Sequence, residues 1–256
     1  MFKKIFLLLI LVSFGNLYCQ KDNYEVAKKE FENFIFSSDS IKIQNIKNEK
    51  FKKIIDIQEY YHYVTRLLDF GLTESVYELR FMYSSNHILK GRGVELHIFY
   101  LGEKEIGKII DYSQYKDEEK QISSKFDSVI NNYIVKHNHF YKTNYSQKNF
   151  IDDIITKNVY GDYCGYSGSK NEKMFDLELE KLNNVESYVN WMKSFNPEKQ
   201  MWGYDQIQYL LGKELIDLEA DEQKIFTHIK SRNAIIQTCS GCTFGIFERV
   251  FKNKNN

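Results

Sequence analysis

The sequence predicts an α+β fold. An N-terminal antiparallel sheet is covered by helices, and a C-terminal region of α-helical hairpins follows. Three observations lead there. Tyr77 to Tyr83 and Val94 to Tyr100 alternate apolar and polar side chains, the period of a half-buried strand. Glycines at 91, 93 and 102 stand between such stretches, as short turns between antiparallel strands require. Beyond residue 170, apolar residues recur every three or four positions in short runs divided by Asn184, Asn196-Pro197 and Gly212. The division that follows is a leader over 1–19, an α+β domain over 20–158 and a helical-hairpin region over 159–256.

Taken in order, residues 24–36 carry Val26, Phe31, Phe34 and Ile35 at helical spacing. Residues 47–70 read as a longer helix, with Phe51, Ile54, Ile55, Tyr61, Val64 and Leu68 on one side and Gly71 as its stop. The strands at 77–83 and 94–100 come next, then a weaker one over 105–112. One face of this sheet is expected to be covered by a helix over 117–138, whose stripe is Ile122, Phe126, Val129, Ile130, Tyr133 and Ile134. The region 159–170, with Val159-Tyr160-Gly161-Asp162-Tyr163-Cys164-Gly165-Tyr166-Ser167-Gly168, has three glycines in eight residues and reads as an ordered loop joining the halves.

Four short helices are expected after that loop. The first spans about 172–182, with Phe175, Leu179 and Leu182. The second starts at Asn184 and aligns Val185, Tyr188, Val189, Met192 and Phe195. The third has Asn196 as N-cap, Pro197 at the first helical position and Gly212 at its end, with Met201, Tyr204, Ile207 or Gln208, and Leu211 on one face. The fourth covers about 220–231 with Ile225, Phe226 and Ile229. Two helical hairpins in series resemble a short HEAT-like array, and such arrays present a surface to a partner. Residues 234–238 read as a strand, and 243–251 as a short helix or a trailing strand.

The N-terminus has the layout of a secretory signal peptide: basic Lys3-Lys4, an apolar run from Ile5 to Phe14, then a short tail to Cys19. The apolar run is too short to span a bilayer, which takes about 20 residues. The ending Leu17-Tyr18-Cys19-Gln20 resembles flavobacterial signal peptides, which implies cleavage before Gln20. A lipid anchor at Cys19 is the rival reading, opposed by the bulky Tyr18 where a lipobox has a small residue. Removal of residues 1–19 takes Lys3 and Lys4 and leaves 33 basic side chains against 35 acidic, a net of −2. Such a chain has no bulk charge to attract nucleic acid or anionic lipid, so neither is expected as a partner. With 19 Tyr, 19 Phe and a single proline, it is expected to fold throughout. The aromatic surplus rises together with Asn, Lys and Ile, so it does not by itself mark a binding face.

Cys164, Cys239 and Cys242 remain after removal of the leader. In an oxidising compartment they favour a structural disulfide from Cys164 to Cys239 or Cys242. Closing a loop of about 75 residues stabilises by about 4 kcal/mol in the chain-entropy model. Two alternatives stay open. Cys239-Ser240-Gly241-Cys242 after an apolar strand is the local layout of a thiol–disulfide oxidoreductase, although only a short tail follows it. Cys164, Cys239, Cys242 and His228 also make a candidate zinc set. The glycine-cysteine loop, the helical hairpins and the late Cys-x-Gly-Cys resemble uncharacterised exported proteins of Bacteroidota, a resemblance that carries no function.

The remaining candidates read mostly as ordinary surface. His137-x-His139 suits two surface histidines, and Asp152-Asp153 and Glu118-Glu119 suit solvated faces. Asp39-Ser40-Ile41 and Asp127-Ser128-Val129 resemble the Bacteroidota O-glycosylation triplet. Trp191 and Trp202 either pack between hairpins or mark a contact surface. The sequence has no Gly-x-Ser-x-Gly, His-Glu-x-x-His or phosphate-cradling glycine motif, and no cofactor is expected. The function expected is that of an exported, non-enzymatic protein-binding or structural module, of immunity or inhibitor type in one concrete form, with another protein as partner.

Overall fold

A computed structural model describes residues 26–39, 42–43, 45–46, 50–51, 55–85, 88–112, 122–161, 183–240 and 243–251. The leader, the expected helix at 172–182, Cys164, Cys242 and Glu118-Glu119 lie outside the described residues. The fold is α+β. Helix α1 covers 26–37. Strands β1 (Lys50–Phe51), β2 (Ile55–Leu67), β3 (Leu72–Ser85), β4 (Ile88–Leu101), β5 (Lys104–Asp111) and β6 (Ile122–Phe126) form one sheet in sequence order. Then come α2 (Val129–Tyr141), α3 (Gln147–Ile154), α4 (Val185–Met192), α5 (Pro197–Gly212), α6 (Ala220–Arg232) and an antiparallel pair, β7 (Ile235–Ser240) and β8 (Thr243–Arg249).

Two expected helices are corrected. Residues 55–67 form β2, not the middle of a helix over 47–70. Ile55, Ile57, Tyr60, Tyr61, Tyr63, Val64 and Thr65 are β-branched or aromatic, and these lose χ1 freedom against a helical turn but suit a pleated surface. The expected helix at 117–138 begins only at Val129, because Ile122–Phe126 is β6. Asp127 marks the change. Its N–H donates to the Ile106 carbonyl at 2.8 Å, and its carboxylate accepts the Val129 N–H at 2.8 Å. The sheet is also not covered on one face alone. Glu74 to Leu79 in β3 and Ile106 to Asp111 in β5 are buried in succession, on both parities of the strand. Helix α3 had no counterpart in the sequence reading. It starts with a reciprocal cap in which Asn149 stands where Glu or Gln is usual: the Ser146 hydroxyl accepts the Asn149 N–H and the Asn149 side chain accepts the Ser146 N–H.

The chain forms two compact units that interleave along the sequence, without a single boundary at 158. The first comprises residues up to 63 with 75–98 and 107–125. Its core sets Phe31 of α1 against Phe51 and Phe81, with ring centroids 5.3 and 6.1 Å apart. Glu32 accepts hydrogen bonds from Tyr112 at 3.0 Å and Ser123 at 2.7 Å. Tyr61 and Tyr63 stay exposed, and the Arg80 guanidinium lies 5.2 Å from the Tyr61 ring.

The second unit comprises 64–74, 99–106 and 126 onward. Its core gathers Tyr188, Val189 and Met192 of α4, Met201, Tyr204, Ile207 and Leu210 of α5, Ile225 and Ile229 of α6, and Ile236 of β7. Helix α5 begins as its sequence predicts: Asn196 accepts the Lys199 N–H at 3.0 Å and Pro197 occupies the first turn. Gly203 lets α4 approach. A Cβ there would stand 2.5 Å from the Tyr188 carbonyl oxygen and 2.8 Å from the Met192 nitrogen, both backbone atoms. Gly203→Ala is therefore expected to destabilise by roughly 1–3 kcal/mol despite its gain in helix propensity, because the two helices must separate. A lowered thermal midpoint reads this out; an unchanged or raised midpoint would contradict the close approach.

Candidate functional site

The tight turn from β2 into β3 is Asp69-Phe70-Gly71, closed by the Leu68 N–H donating to the Leu72 carbonyl at 2.7 Å. Phe70 has φ 54° and Gly71 φ 81°. A left-handed conformation at Phe70 costs on the order of 1–3 kcal/mol and persists only where its surroundings hold it. They do: the Phe70 ring stacks on His228 at 5.9 Å and 12°, and meets Phe140 at 5.5 Å.

The turn places Asp69, 2% exposed, among groups from three helices. Its Oδ1 accepts from Arg232 at 2.5 Å and faces His228 Nε2 at 2.8 Å. Its Oδ2 accepts the Tyr141 hydroxyl at 2.9 Å. Gln200 completes the ring of contacts, donating to Tyr141 at 3.2 Å and to the Ser194 carbonyl at 2.7 Å while accepting from Arg232 at 2.5 Å. Burial alone would raise the Asp69 pKa, but Arg232 and His228 outweigh it and hold the carboxyl well below the usual carboxylate range. Burial, then the Asp69 charge, pushes the Tyr141 hydroxyl well up, so it remains a neutral donor.

Two further polar clusters belong to the same unit. Arg66 is clamped between two buried carboxylates, donating to Glu74 at 2.7 Å and to Glu198 more closely still. Glu198 sits in the first turn of α5 and also accepts the Gln237 N–H of β7 at 2.8 Å. Asp153 of α3 fastens the connection between α4 and α5, accepting from the Ser194 hydroxyl, from the Phe195 N–H at 2.7 Å and from Lys199 at 3.1 Å. The paired acids at 152–153 are thus not one solvated face. Asp152 is half-exposed and salt-bridged to Lys148, whereas Asp153 is an anchor.

Of the residues singled out in the sequence, His228 is placed against Asp69 and Phe70. Cys239 is 6% exposed on β7, beside Tyr160 and Gly161. Tyr160 donates its N–H to Gln237 at 2.9 Å and accepts the Cys239 N–H at 3.0 Å. The Cys239 sulfur would stand 2.9 Å from a Cβ at Gly161. Cys164, needed for the zinc set, and Cys242, needed for both the zinc set and the oxidoreductase pair, lie outside the described residues. Among the described residues no group of three or more His, Cys, Asp or Glu side chains is arranged to hold a metal ion. Trp202 is 6% exposed and is core, not contact surface; its indole N–H donates to the Val159 carbonyl at 3.2 Å. Trp191 is half-buried against Tyr188. His139 is exposed as expected, but His137 is fully buried. Both had been expected at the surface; instead Tyr133, Ile134, His137 and Tyr141 share the buried side of α2.

Asp69, Arg66, Glu74, Glu198, Gln200 and Arg232 escaped the sequence reading. One local signal was available: Arg66 and Asp69 interrupt the apolar run Val64 to Phe70, where a charge is affordable only with a partner. Chemically, the Asp69–His228 pair has the geometry of a carboxylate orienting an imidazole. The same carboxylate oxygen also receives Arg232, so its charge is compensated within the fold. No helix of the described residues is long and apolar enough to cross a membrane. No protein-family model, curated protein or solved structure matches the chain.

Proposed function

We propose that this is an exported, non-enzymatic module that binds another protein, in the manner of an immunity or inhibitor protein. The observation that carries the reading is the state of its converging charges. Asp69 is paired with Arg232, Glu198 with Arg66, and Asp153 with Lys199, Ser194 and the Phe195 N–H, tying turns to helices. A catalytic group must instead keep an exchangeable face toward a substrate. The helical region is proposed to present its outer face as a HEAT-like pair of hairpins does, with α4 packed on α5 as one such pair.

The structural staple is proposed to run from Cys164 to Cys239. Support comes from Gly161, which lies against Cys239, and from the spacing: only three residues separate Gly161 from Cys164 in sequence, a reach of at most about 10 Å. The same protein exported by its native host supplies the test. Intact mass and peptide mapping are expected to show an N-terminus at Gln20 and one disulfide linking Cys164 to Cys239. Crosslinking in the exporting cell is expected to yield a heteromeric species. Turnover of a disulfide substrate that is lost in both Cys239→Ser and Cys242→Ser would overturn the non-enzymatic reading. Three free thiols with one equivalent of zinc would overturn the staple.

A further inference from the structure

His137 is the one buried histidine of α2, and its surroundings are unusual for an imidazole. It is 0% exposed, and neither ring nitrogen has a hydrogen-bond partner. Its ring stacks on Phe195 with centroids 3.9 Å apart at 28°, and lies 4.4 Å from Tyr141 and 5.9 Å from Tyr145. Phe195 belongs to the connection between α4 and α5 that Asp153 anchors, and its ring also meets Phe150 at 5.1 Å. The imidazole is thus the plug between α2 and that connection.

We infer that His137 is an acid-sensitive latch: a proton on its ring releases the connection at 193–196 from α2 and loosens the helical unit. A neutral imidazole is tolerated in an aromatic stack. An imidazolium requires acceptors for two N–H groups, and the packed ring has only the Ser194 backbone near it, so the proton is bound more readily where the stack is open. The charged and titratable groups facing it are few. Burial is the largest influence and lowers its pKa from 6.5 to about 4. Asp69 from the β2–β3 turn, the Ser194 backbone and Asp153 from α3 pull the other way, and Arg232 from α6 opposes a proton. The hydroxyls of Tyr133, Tyr141 and Tyr145 are all pushed upward and stay neutral through this range.

The sign follows from linkage. The open or unfolded state takes up the proton near 6.5, the packed state only near 4, so stability is intact above 6.5 and falls as the pH drops between them. From this group alone the opening equilibrium is expected to rise about 20-fold between pH 7 and pH 5.

Thermal unfolding of the full exported chain from pH 7.5 to 4.5 tests this. The wild-type midpoint is expected to fall across that range. His137→Phe keeps an aromatic ring of similar size and removes both unpartnered nitrogens. It is expected to equal or exceed wild type at pH 7.5 and to lose most of the decline. His228→Gln, altering the half-exposed histidine, is expected to keep it. A decline as steep in His137→Phe as in wild type, or one abolished by His228→Gln, overturns the latch. If His137→Phe does not fold, the ring signals of wild-type His137 decide. Titration well below 6.5 together with broadening of the Phe195 and Tyr145 resonances upholds it, and titration near 6.5 without such broadening overturns it.

Discussion

Asp69→Ala is expected to cost roughly 3–5 kcal/mol, the range found when one member of a buried ion pair is removed and the other is left without compensation. Arg232 is the group left stranded: its side chain is 7% exposed, and its hydrogen bond to Asp69 is lost together with those of Tyr141 and His228. Phe70 would lose one support of its left-handed backbone at the same time, because Asp69 fastens the turn, while its ring keeps Phe140 and His228 beside it. Chemical denaturation of the variant at pH 7 reads the loss. The double variant Asp69→Ala, Arg232→Met separates causes. If the stranded guanidinium dominates, the double variant recovers part of the stability; if the two losses simply add, the ion pair is not what holds the turn.

The same carboxylate makes a pH signature distinct from that of His137. Its folded pKa is held far below the ordinary value by Arg232 and His228 against the effect of burial. Its contribution is therefore complete above the unfolded pKa of about 3.9 and is lost only as the pH falls beneath that. The decline assigned to His137 lies at higher pH, between 6.5 and 4.

The parts of the fold legible in the sequence are those whose cause is local. Asn196, Pro197 and the apolar face of α5 need no distant partner to specify a helix, and α5 starts where they place it. The strand at 104–111 was legible because Gly102, with φ 62°, turns the chain just before it. β2 was not. Its buried positions change parity, Ile55 and Ile57 in one unit and Val64 and Arg66 in the other, so its apolar spacing imitates a helix. The polar clusters were illegible for another reason. Asp69 and Arg232 are separated by 163 residues, and nothing in either neighbourhood names the other. A buried histidine such as His137 leaves no local sign either, since its spacing from Tyr133 and Tyr141 also suits a partly exposed helix face. Sequence thus reported where chain segments turn and which are apolar. Which charges meet depends on tertiary placement that no window contains.

Arg66 carries the second large effect, with an opposite response to pH. Replacing it by Met keeps much of the volume and removes the charge that pairs with Glu74 and Glu198, whose side chains are 0% and 3% exposed. In the wild type, burial would lower the Arg66 pKa, but Glu198 and Glu74 outweigh it and raise it, so the guanidinium stays charged. Arg66→Met is expected to cost roughly 3–5 kcal/mol at pH 7. The two carboxylates then lose the guanidinium that joined them, and burial together with a like charge disfavours their ionised forms. An acid whose folded pKa is raised above the unfolded one gains stability as the pH falls through it, so the variant should recover part of the loss between pH 7 and pH 5. Glu198→Gln retains an acceptor for the Gln237 N–H, leaves Arg66 with Glu74, and is expected to cost less than Arg66→Met at neutral pH. Denaturation midpoints of the two variants at pH 7 and pH 5 decide the matter. Equal losses at both pH values for Arg66→Met would mean that packing of the long side chain, and not the charge it compensates, is what α5 and the end of β2 depend on.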